Sequence, residues 1–169
     1  MPCACAVPAP DFPTNCEWGP ILWKIFHGLA AKYGKLVSPI FQRDQEITWP
    51  RFIEQTLKIL PCKECREHYK EYTEANSPVT LKTLSPDLQA TWIQNFYFDL
   101  HNVVNVRSGK PVFAQTELQD TYKNINFSYE MKHFETLIKI VFRYNEVTYV
   151  AWMNWVRSVQ TLISIYGLA

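Results

Sequence analysis

Leu60-Pro61-Cys62-Lys63-Glu64-Cys65 is the stretch around which the chain is organised: two cysteines three positions apart, after a proline and before a polar helical run. This spacing suits reversible dithiol–disulfide chemistry. If Cys62 starts a helix, the unpaired N–H groups and the positive end of the helix dipole favour its thiolate, the reactive form. The same spacing also occurs in half of a zinc site, which needs a second pair of ligands elsewhere. Buried, unreactive cysteines are a third and weaker interpretation.

The length and composition are those of one globular domain. The chain has 169 residues, of which 47% are hydrophobic and 15% aromatic, including 6 Trp. The net charge is +1 without long runs of one sign, so the chain lacks the basic surface of proteins that bind nucleic acids or anionic membranes. Its few glycines form no phosphate-binding loop or dinucleotide fingerprint.

Targeting signals and membrane spans are not apparent in the sequence. Lys139, Arg143 and Glu146 interrupt the most apolar region, so no apolar window reaches the length of a bilayer. The N-terminal segment lacks the charged start and apolar middle of a signal peptide. We therefore expect neither a membrane span nor secretion by that route.

The cysteines are crowded into the N-terminal part of the chain, at positions 3, 5, 16, 62 and 65. A secreted disulfide scaffold would distribute an even number of cysteines through the fold, so these are predicted to be working thiols. Residues 1–17 are rich in proline and lack periodicity. We predict that they form a flexible arm that carries Cys3 and Cys5.

Helical periodicity begins at Trp18 and recurs along the remainder of the chain. Trp23 and His27 lie four apart beside the apolar face of the first helix, where a packing role is the default. Residues 35–47 are predicted to form a loop, with Thr48 capping a second helix. The apolar face of the first helix consists of Trp18, Ile21, Leu22, Ile25, Phe26, Leu29, Ala30 and Tyr33.

Prolines mark the later helix boundaries. Pro61 ends the second helix, so a third begins at Cys62. Ser85 followed by Pro86 predicts a fourth helix that continues to about residue 106. On it, His101 and Asn105 lie four apart and share a face. A short fifth helix capped by Thr116 and two further apolar stripes follow, and no stretch alternates like a strand, so the predicted fold is all-α.

Three motifs in this order resemble the ERV/ALR family of FAD-linked sulfhydryl oxidases. They are Trp23-x-x-x-His27, Pro61-Cys62-x-x-Cys65, and His101-Asn102-x-x-Asn105 followed by Lys110-Pro111. The resemblance covers residues 18 to 122, and the opening Trp18-Gly19-Pro20 is most similar to members encoded by large DNA viruses.

The resemblance implies an antiparallel four-helix bundle with a short fifth helix, with FAD in the bundle mouth beside the Cys-x-x-Cys. It divides the chain into the arm (1–17), an FAD-binding helical domain (18–124) and a C-terminal helical extension (125–169) packed on or beside that domain. Many members carry a structural disulfide after the last bundle helix. Trp92 and Gln115 occupy the matching positions here, so that disulfide is absent.

The same resemblance implies a role for each site residue. Cys65 would be the flavin-proximal thiol, which forms the charge-transfer thiolate and attacks the flavin, and Cys62 the outer thiol that exchanges with substrates. No metal ligand is implied. The implied cofactor contacts are Gly19, Trp23, His27, Tyr33, His68, His101, Asn102, Asn105, Lys110 and Tyr122.

The implied activity passes electrons from a dithiol through Cys62 and Cys65 to FAD and then to O2, giving hydrogen peroxide. A cofactor is required because no side chain accepts two electrons and passes them to oxygen. The implied partners are thiol-containing protein substrates or a thioredoxin-like redox protein, and a second copy packed through the first two helices. A cytoplasmic location is expected, in the host cytoplasm or at a virus assembly site if the protein is viral.

Two alternatives remain open from the residues alone. One is a zinc-stabilised helical binding module, with Cys3, Cys5, Cys62 and Cys65 as four thiolate ligands. The other is a helical interaction protein whose cysteines are incidental. In the oxidase interpretation, a Cys-x-Cys disulfide on a mobile arm is a good electron carrier, so Cys3 and Cys5 are predicted to shuttle electrons to Cys62.

Overall fold

The computed structural model describes residues 11–168, so Cys3 and Cys5, with their predicted shuttle and zinc roles, lie outside the described residues. Between residues 11 and 168 every regular element is helical, which confirms the all-α prediction for that range. None of the helices described there is both long and apolar enough to cross a bilayer. The helices are α1 (Asn15–Ala30), α2 (Gln42–Thr56), α3 (Lys63–Ala75), α4 (Pro86–Arg107), α5 (Gln115–Tyr122), α6 (Phe127–Phe142) and α7 (Tyr149–Ile165), with 3-10 turns at Pro39–Phe41 and Pro78–Thr83.

The first helix begins one turn earlier than its apolar stripe, at Asn15 rather than Trp18. The Glu17 carboxylate accepts hydrogen bonds from the backbone N–H of Thr14 at 2.7 Å and from its hydroxyl at 2.9 Å. These bonds satisfy polar groups at the helix start, where the dipole also favours an acid. Residues 15–17, which the sequence interpretation placed in the arm, are therefore helical.

The second helix also begins earlier than predicted. Thr48 lies inside α2, whose first residue is Gln42, and the segment predicted as a loop is partly helical. The reason is tertiary: the Gln45 side chain is 1% exposed and accepts hydrogen bonds from the Gly34 N–H and the Tyr166 hydroxyl. Hydrogen bonds to residues outside the segment therefore stabilise the start of α2 as a helix, although this polar stretch lacks an apolar stripe.

The starts of α3 and α4 are as predicted, with Cys62 and Ser85 as the residues that precede them. The fifth helix begins at Gln115, so Thr116 is its second residue and not its cap. Glu117 instead accepts a hydrogen bond from the Ala114 N–H at 3.3 Å.

The C-terminal helices share the core of the helices that precede them. α6 packs along α1, and α7 packs along α2. The contact between α1 and α6 requires a glycine, because a Cβ on Gly28 would lie 2.8 Å from Cζ of Phe127. The indole N–H of Trp155 on α7 donates to the Thr56 hydroxyl on α2 at 3.0 Å. The extension therefore covers one side of both α1 and α2.

Candidate active site

Cys62 and Cys65 lie where α3 begins. Cys62 immediately precedes the helix, and its sulfur accepts a hydrogen bond from the Cys65 backbone N–H at 3.3 Å. Cys62 is buried, at 8% exposure, whereas Cys65 is partly exposed. The positive end of the α3 dipole favours an anion at this position, so the geometry favours the thiolate that disulfide exchange requires.

The first residue of α1 reaches the second cysteine. The side-chain N–H of Asn15 donates to the Cys65 sulfur at 3.6 Å. The sequence interpretation overlooked Asn15, although its position four residues before Gly19 places both on one helix face. Cys16, the next residue, is an exposed free thiol.

One face of α1 leads away from the cysteines. Asn15, Gly19, Trp23 and His27 follow one another at intervals of four, so their side chains line this face, which we call the α1 face. It is about 18 Å long at 1.5 Å per residue. A Cβ on Gly19 would meet no atom of the described residues within 4 Å, so the middle of the face is open.

An aromatic cluster closes the far end of the α1 face. The Trp23 and His101 rings stack with centroids 4.0 Å apart and planes 7° apart. The Tyr122 ring stacks on His27 at 4.5 Å, and Phe113 stacks on His101 at 5.5 Å. Four separate segments of the chain thus contribute flat side chains to one place. We call Trp23, His27, His101, Phe113 and Tyr122 the aromatic cluster.

Two histidines form a hydrogen-bonded pair within this cluster. Nε2 of His27 lies 2.9 Å from Nδ1 of His101. Burial lowers the pKa of His27 to about 3, helped by the charge of His101, and burial lowers the pKa of His101 to about 4, helped by the charge of Lys110. Both rings are therefore neutral near pH 7, and one donates to the other. Such rings stack and hydrogen-bond without acting as acids.

Comparisons with known proteins decide the family of this chain. The Erv1/Alr family profile matches residues 20–123, which contain the Cys-x-x-Cys and all five members of the aromatic cluster. The chain belongs to the Erv1/Alr family. This confirms the resemblance inferred from the three ordered motifs. No solved structure matched the chain.

Named relatives in this family are both viral and cellular. The FAD-linked sulfhydryl oxidase of African swine fever virus is 34% identical over 122 residues, which is 72% of this chain and 87% of the viral protein. The FAD-linked sulfhydryl oxidase ERV1 of Oryza sativa subsp. japonica is 34% identical over 100 residues, 59% of this chain and 46% of its own. The mitochondrial FAD-linked sulfhydryl oxidase erv1 of Schizosaccharomyces pombe is 31% identical over 110 residues, 64% of this chain and 54% of its own. The chain thus spans about half the length of these two cellular relatives.

The residues fit the FAD of these family members. FAD has a flat ring system at each end, and the α1 face is open at Gly19, between Cys65 and the aromatic cluster. The aromatic cluster offers stacking surfaces for one ring at the end remote from Cys65. Trp23, His27, His101 and Tyr122, all predicted from the resemblance, meet here, while Gly19 lies between the cluster and the thiols.

Asn102 has a structural task in this family member. Its side-chain oxygen accepts a hydrogen bond from the Phe113 N–H at 2.7 Å, and its side-chain N–H donates to the Phe113 carbonyl at 3.1 Å. The pair holds the segment after α4 against that helix. It also places Phe113 against His101, a contact the sequence interpretation did not foresee.

Asn105 and Lys110 lie at the end of α4, beside the aromatic cluster. The Lys110 N–H donates to the Asn105 carbonyl at 2.8 Å, which folds the chain back after the helix. Gly109 permits this reversal with a φ of +67°. Lys110 is exposed, and its positive charge adds to burial in lowering the pKa of His101. A cation here suits a phosphate group.

Two predicted contacts lie apart from the aromatic cluster. Tyr33 is buried, its hydroxyl donates to Gln89 at 2.6 Å, and its ring packs near Trp49. His68 lies one turn after Cys65 and has Glu64 at 3.8 Å. Their contact with FAD stays a prediction, and for Tyr33 the structure shows a core role.

Proposed function

We propose that this protein is an FAD-dependent sulfhydryl oxidase that accepts two electrons from a dithiol at Cys62 and Cys65, and delivers them through FAD to O2 as hydrogen peroxide. The observation that carries the proposal is the placement of Cys65 at one end of the α1 face and of the aromatic cluster at the other. FAD supplies a two-electron acceptor that reacts with oxygen. Family membership and the names of the relatives support the same activity.

The two cysteines have different roles in this proposal. Cys65 is the flavin-proximal thiol, because its sulfur contacts Asn15, the first residue of the α1 face. Cys62 exchanges with incoming thiols. A substrate thiolate attacks the Cys62 sulfur, the bond to Cys65 breaks, and Cys65 leaves as a thiolate that Asn15 can stabilise by hydrogen bonding.

The other chain residues bind and position the cofactor. Trp23, His101 and Tyr122 would hold its flat adenine end by stacking, and Lys110 and Asn105 would bind the charged linker between the two ring systems. The neutral histidine pair contributes hydrogen bonds without a charge. His68, one turn beyond Cys65, would border the flavin ring.

The substrates proposed here are thiol-containing proteins or a thioredoxin-like redox protein. The buried position of Cys62 favours delivery of thiols by a thin, extended segment over direct docking of a large folded surface. The N-terminal segment of the sequence carries Cys3 and Cys5 one residue apart. We infer that Cys3 and Cys5 accept electrons from the protein substrate and pass them to Cys62.

The proposed fold and assembly are those that the family resemblance implies, with one modification. We infer that α1 to α4 form the four-helix bundle and that the protein works as a homodimer in a cytoplasmic compartment. Since α6 packs on α1 and α7 on α2, a dimer through the first two helices would use the sides of those helices that the extension leaves uncovered. Sedimentation of the purified protein measures this directly.

The test of the activity is oxygen uptake with a small dithiol, before and after removal of flavin. We expect a yellow protein whose oxygen uptake disappears without FAD and returns when FAD is added. Cys65→Ser should abolish turnover and retain bound FAD, and Cys62→Ser should block electron entry in the same way. Cys16→Ser is the matched control, since Cys16 is an exposed thiol. A colourless protein that releases zinc to a chelator would support the zinc module instead.

A further inference from the structure

Arg66, the residue after Cys65, is bonded to the backbone on both sides of the Cys62 side chain. Its backbone N–H donates to the Cys62 carbonyl at 3.0 Å, within the first turn of α3. Its Nη1 donates to the Leu60 carbonyl at 2.7 Å and to the Pro61 carbonyl at 3.3 Å. Three successive carbonyl groups are thus bonded to one residue. Arginine suits this position because its planar group can donate to several acceptors at once.

The guanidinium of Arg66 is itself held by the C-terminal extension. Its Nη2 donates to the Glu146 carboxylate at 2.6 Å, and its Nη1 donates to the Glu146 carbonyl at 3.4 Å. Glu146 belongs to the turn between α6 and α7, residues 143–148. Asn145 has a φ of +56°, which asparagine adopts more readily than most residues, and Val147 is buried in the core. The two neighbours therefore fix the position from which Glu146 reaches the guanidinium.

The contact between Arg66 and Glu146 has a geometric effect more than an energetic one. The two side chains are 22% and 42% exposed, and ion pairs with this much exposure add little to the stability of a fold. The guanidinium can donate to positions 60, 61 and 146 together only while the segment before α3 keeps its conformation. Glu146 also lies outside residues 20–123, which match the family profile, so this contact is made by the part of the chain beyond the family domain.

We propose that Arg66 and Glu146 are positioning residues for Cys62. Glu146 orients the guanidinium of Arg66, and the guanidinium fixes the segment before α3. The Cys62 sulfur is thereby kept where it accepts the hydrogen bond from the Cys65 N–H, at 3.3 Å. This inference rests on the proposed function, in which Cys62 is the thiol that exchanges with substrates.

The step that depends on this position is the release of Cys62 from the substrate. One substrate thiolate attacks the Cys62 sulfur, the bond to Cys65 breaks, and Cys65 leaves as a thiolate. The second substrate thiolate then attacks the first substrate sulfur, so that a substrate disulfide forms and Cys62 leaves as a thiolate. Two electrons pass from the substrate to the two cysteines, and the two substrate protons go to solvent. A thiolate stabilised by an N–H group at the start of a helix is the better leaving group.

The pH profile of Cys62 alkylation measures this position without turnover. The parent protein is the freshly reduced, full-length Cys65→Ser variant, which lacks the second active-site thiol and keeps the backbone N–H at position 65. Peptide mass spectrometry separates Cys62 from the other thiols. Arg66→Ala in this parent should raise the midpoint of the profile by about one pH unit, which corresponds to one hydrogen bond to a charged group. An unchanged midpoint would overturn the proposal.

Glu146→Ala separates positioning from the effect of charge. Loss of a carboxylate favours a nearby thiolate, so charge alone would lower the midpoint. Loss of the bond that orients Arg66 should instead raise the midpoint, as in Arg66→Ala. Glu146→Gln should keep the parent midpoint, because its side-chain oxygen can accept the same hydrogen bond. Lys63 and Glu64, the charged neighbours of Cys62 in sequence, are the same in every variant. A lowered or unchanged midpoint in Glu146→Ala would overturn the proposal.

A matched control and a second assay separate the possible failures. Glu135→Ala should leave the midpoint unchanged, because Glu135 is a carboxylate of the extension whose ion pair, with Lys139 at 3.0 Å, lies within α6. The Glu146 variants also carry the test if Arg66→Ala unfolds. Oxygen uptake by wild-type protein tests the proposed function by itself. Absence of uptake would reject the oxidase, whereas an unchanged midpoint in Glu146→Ala rejects only the positioning role.

Discussion

Replacement of His101 by alanine should release FAD and leave the helical fold intact. His101 stacks on Trp23 at 4.0 Å and is hydrogen-bonded to His27 at 2.9 Å. An aromatic stack contributes about 0.5–1.5 kcal/mol and a buried hydrogen bond about 1 kcal/mol. If FAD takes over these contacts, the variant loses about 2 kcal/mol of binding free energy, which is about 30-fold in Kd.

The assay compares flavin-free and flavin-loaded protein. FAD titration followed by flavin fluorescence gives Kd, and thermal unfolding with and without FAD gives the ligand-dependent part of stability. At a fixed excess of FAD, about 30-fold weaker binding removes about 2 kcal/mol of that stabilisation. His133→Ala is the matched control, because His133 is an exposed histidine of α6. Full flavin content with lost turnover in His101→Ala would show an acid–base role and refute our reasoning.

Three further predictions concern the histidine pair, Cys65 and the core. The pKa values of His27 and His101 in the folded protein lie below the unfolded value of about 6.5, so the unfolded chain binds more protons. The unfolding free energy of flavin-free protein should therefore decrease as the pH falls from about 6.5 to about 4. Denaturant titrations at a series of pH values on wild type and His101→Ala check this, and an equal pH dependence in both proteins would contradict it. Asn15→Ala should slow alkylation of Cys65 in reduced, flavin-free protein by up to about five-fold near neutral pH, because the thiolate loses about 1 kcal/mol of stabilisation. An unchanged pH profile of alkylation, followed by mass spectrometry, would remove Asn15 from the site. Gly28→Ala should lower the free energy of unfolding by about 1–3 kcal/mol, because the added methyl group overpacks against α6. The melting temperature should fall with and without FAD. An equal or higher melting temperature would mean that α6 moves to accommodate the methyl group.

The C-terminal extension also reaches the residues next to the two cysteines. It covers one side of α1 and α2, and in the turn between α6 and α7 the Glu146 carboxylate accepts a hydrogen bond from Arg66, the residue after Cys65.

Local sequence was sufficient wherever a short-range rule determined the structure. Pro61 and the Cys-x-x-Cys predicted the start of α3, and Ser85 with Pro86 predicted the start of α4, because capping and proline geometry act within one turn. The four-residue interval of Trp23 and His27 was sufficient to place both on one helix face. The family followed from the order of three motifs and was confirmed.

Tertiary structure decided everything that depends on residues distant in sequence. α2 begins at Gln42 because Gln45 is bonded to Tyr166, more than a hundred residues later, which no local pattern encodes. The Arg66 contact with Glu146 and the Asn15 contact with Cys65 were likewise absent from the sequence interpretation. Spacing predicts which side chains share a helix face. Which face meets which partner is determined by how the helices pack, because burial and hydrogen bonding are satisfied across the whole fold and not within one element.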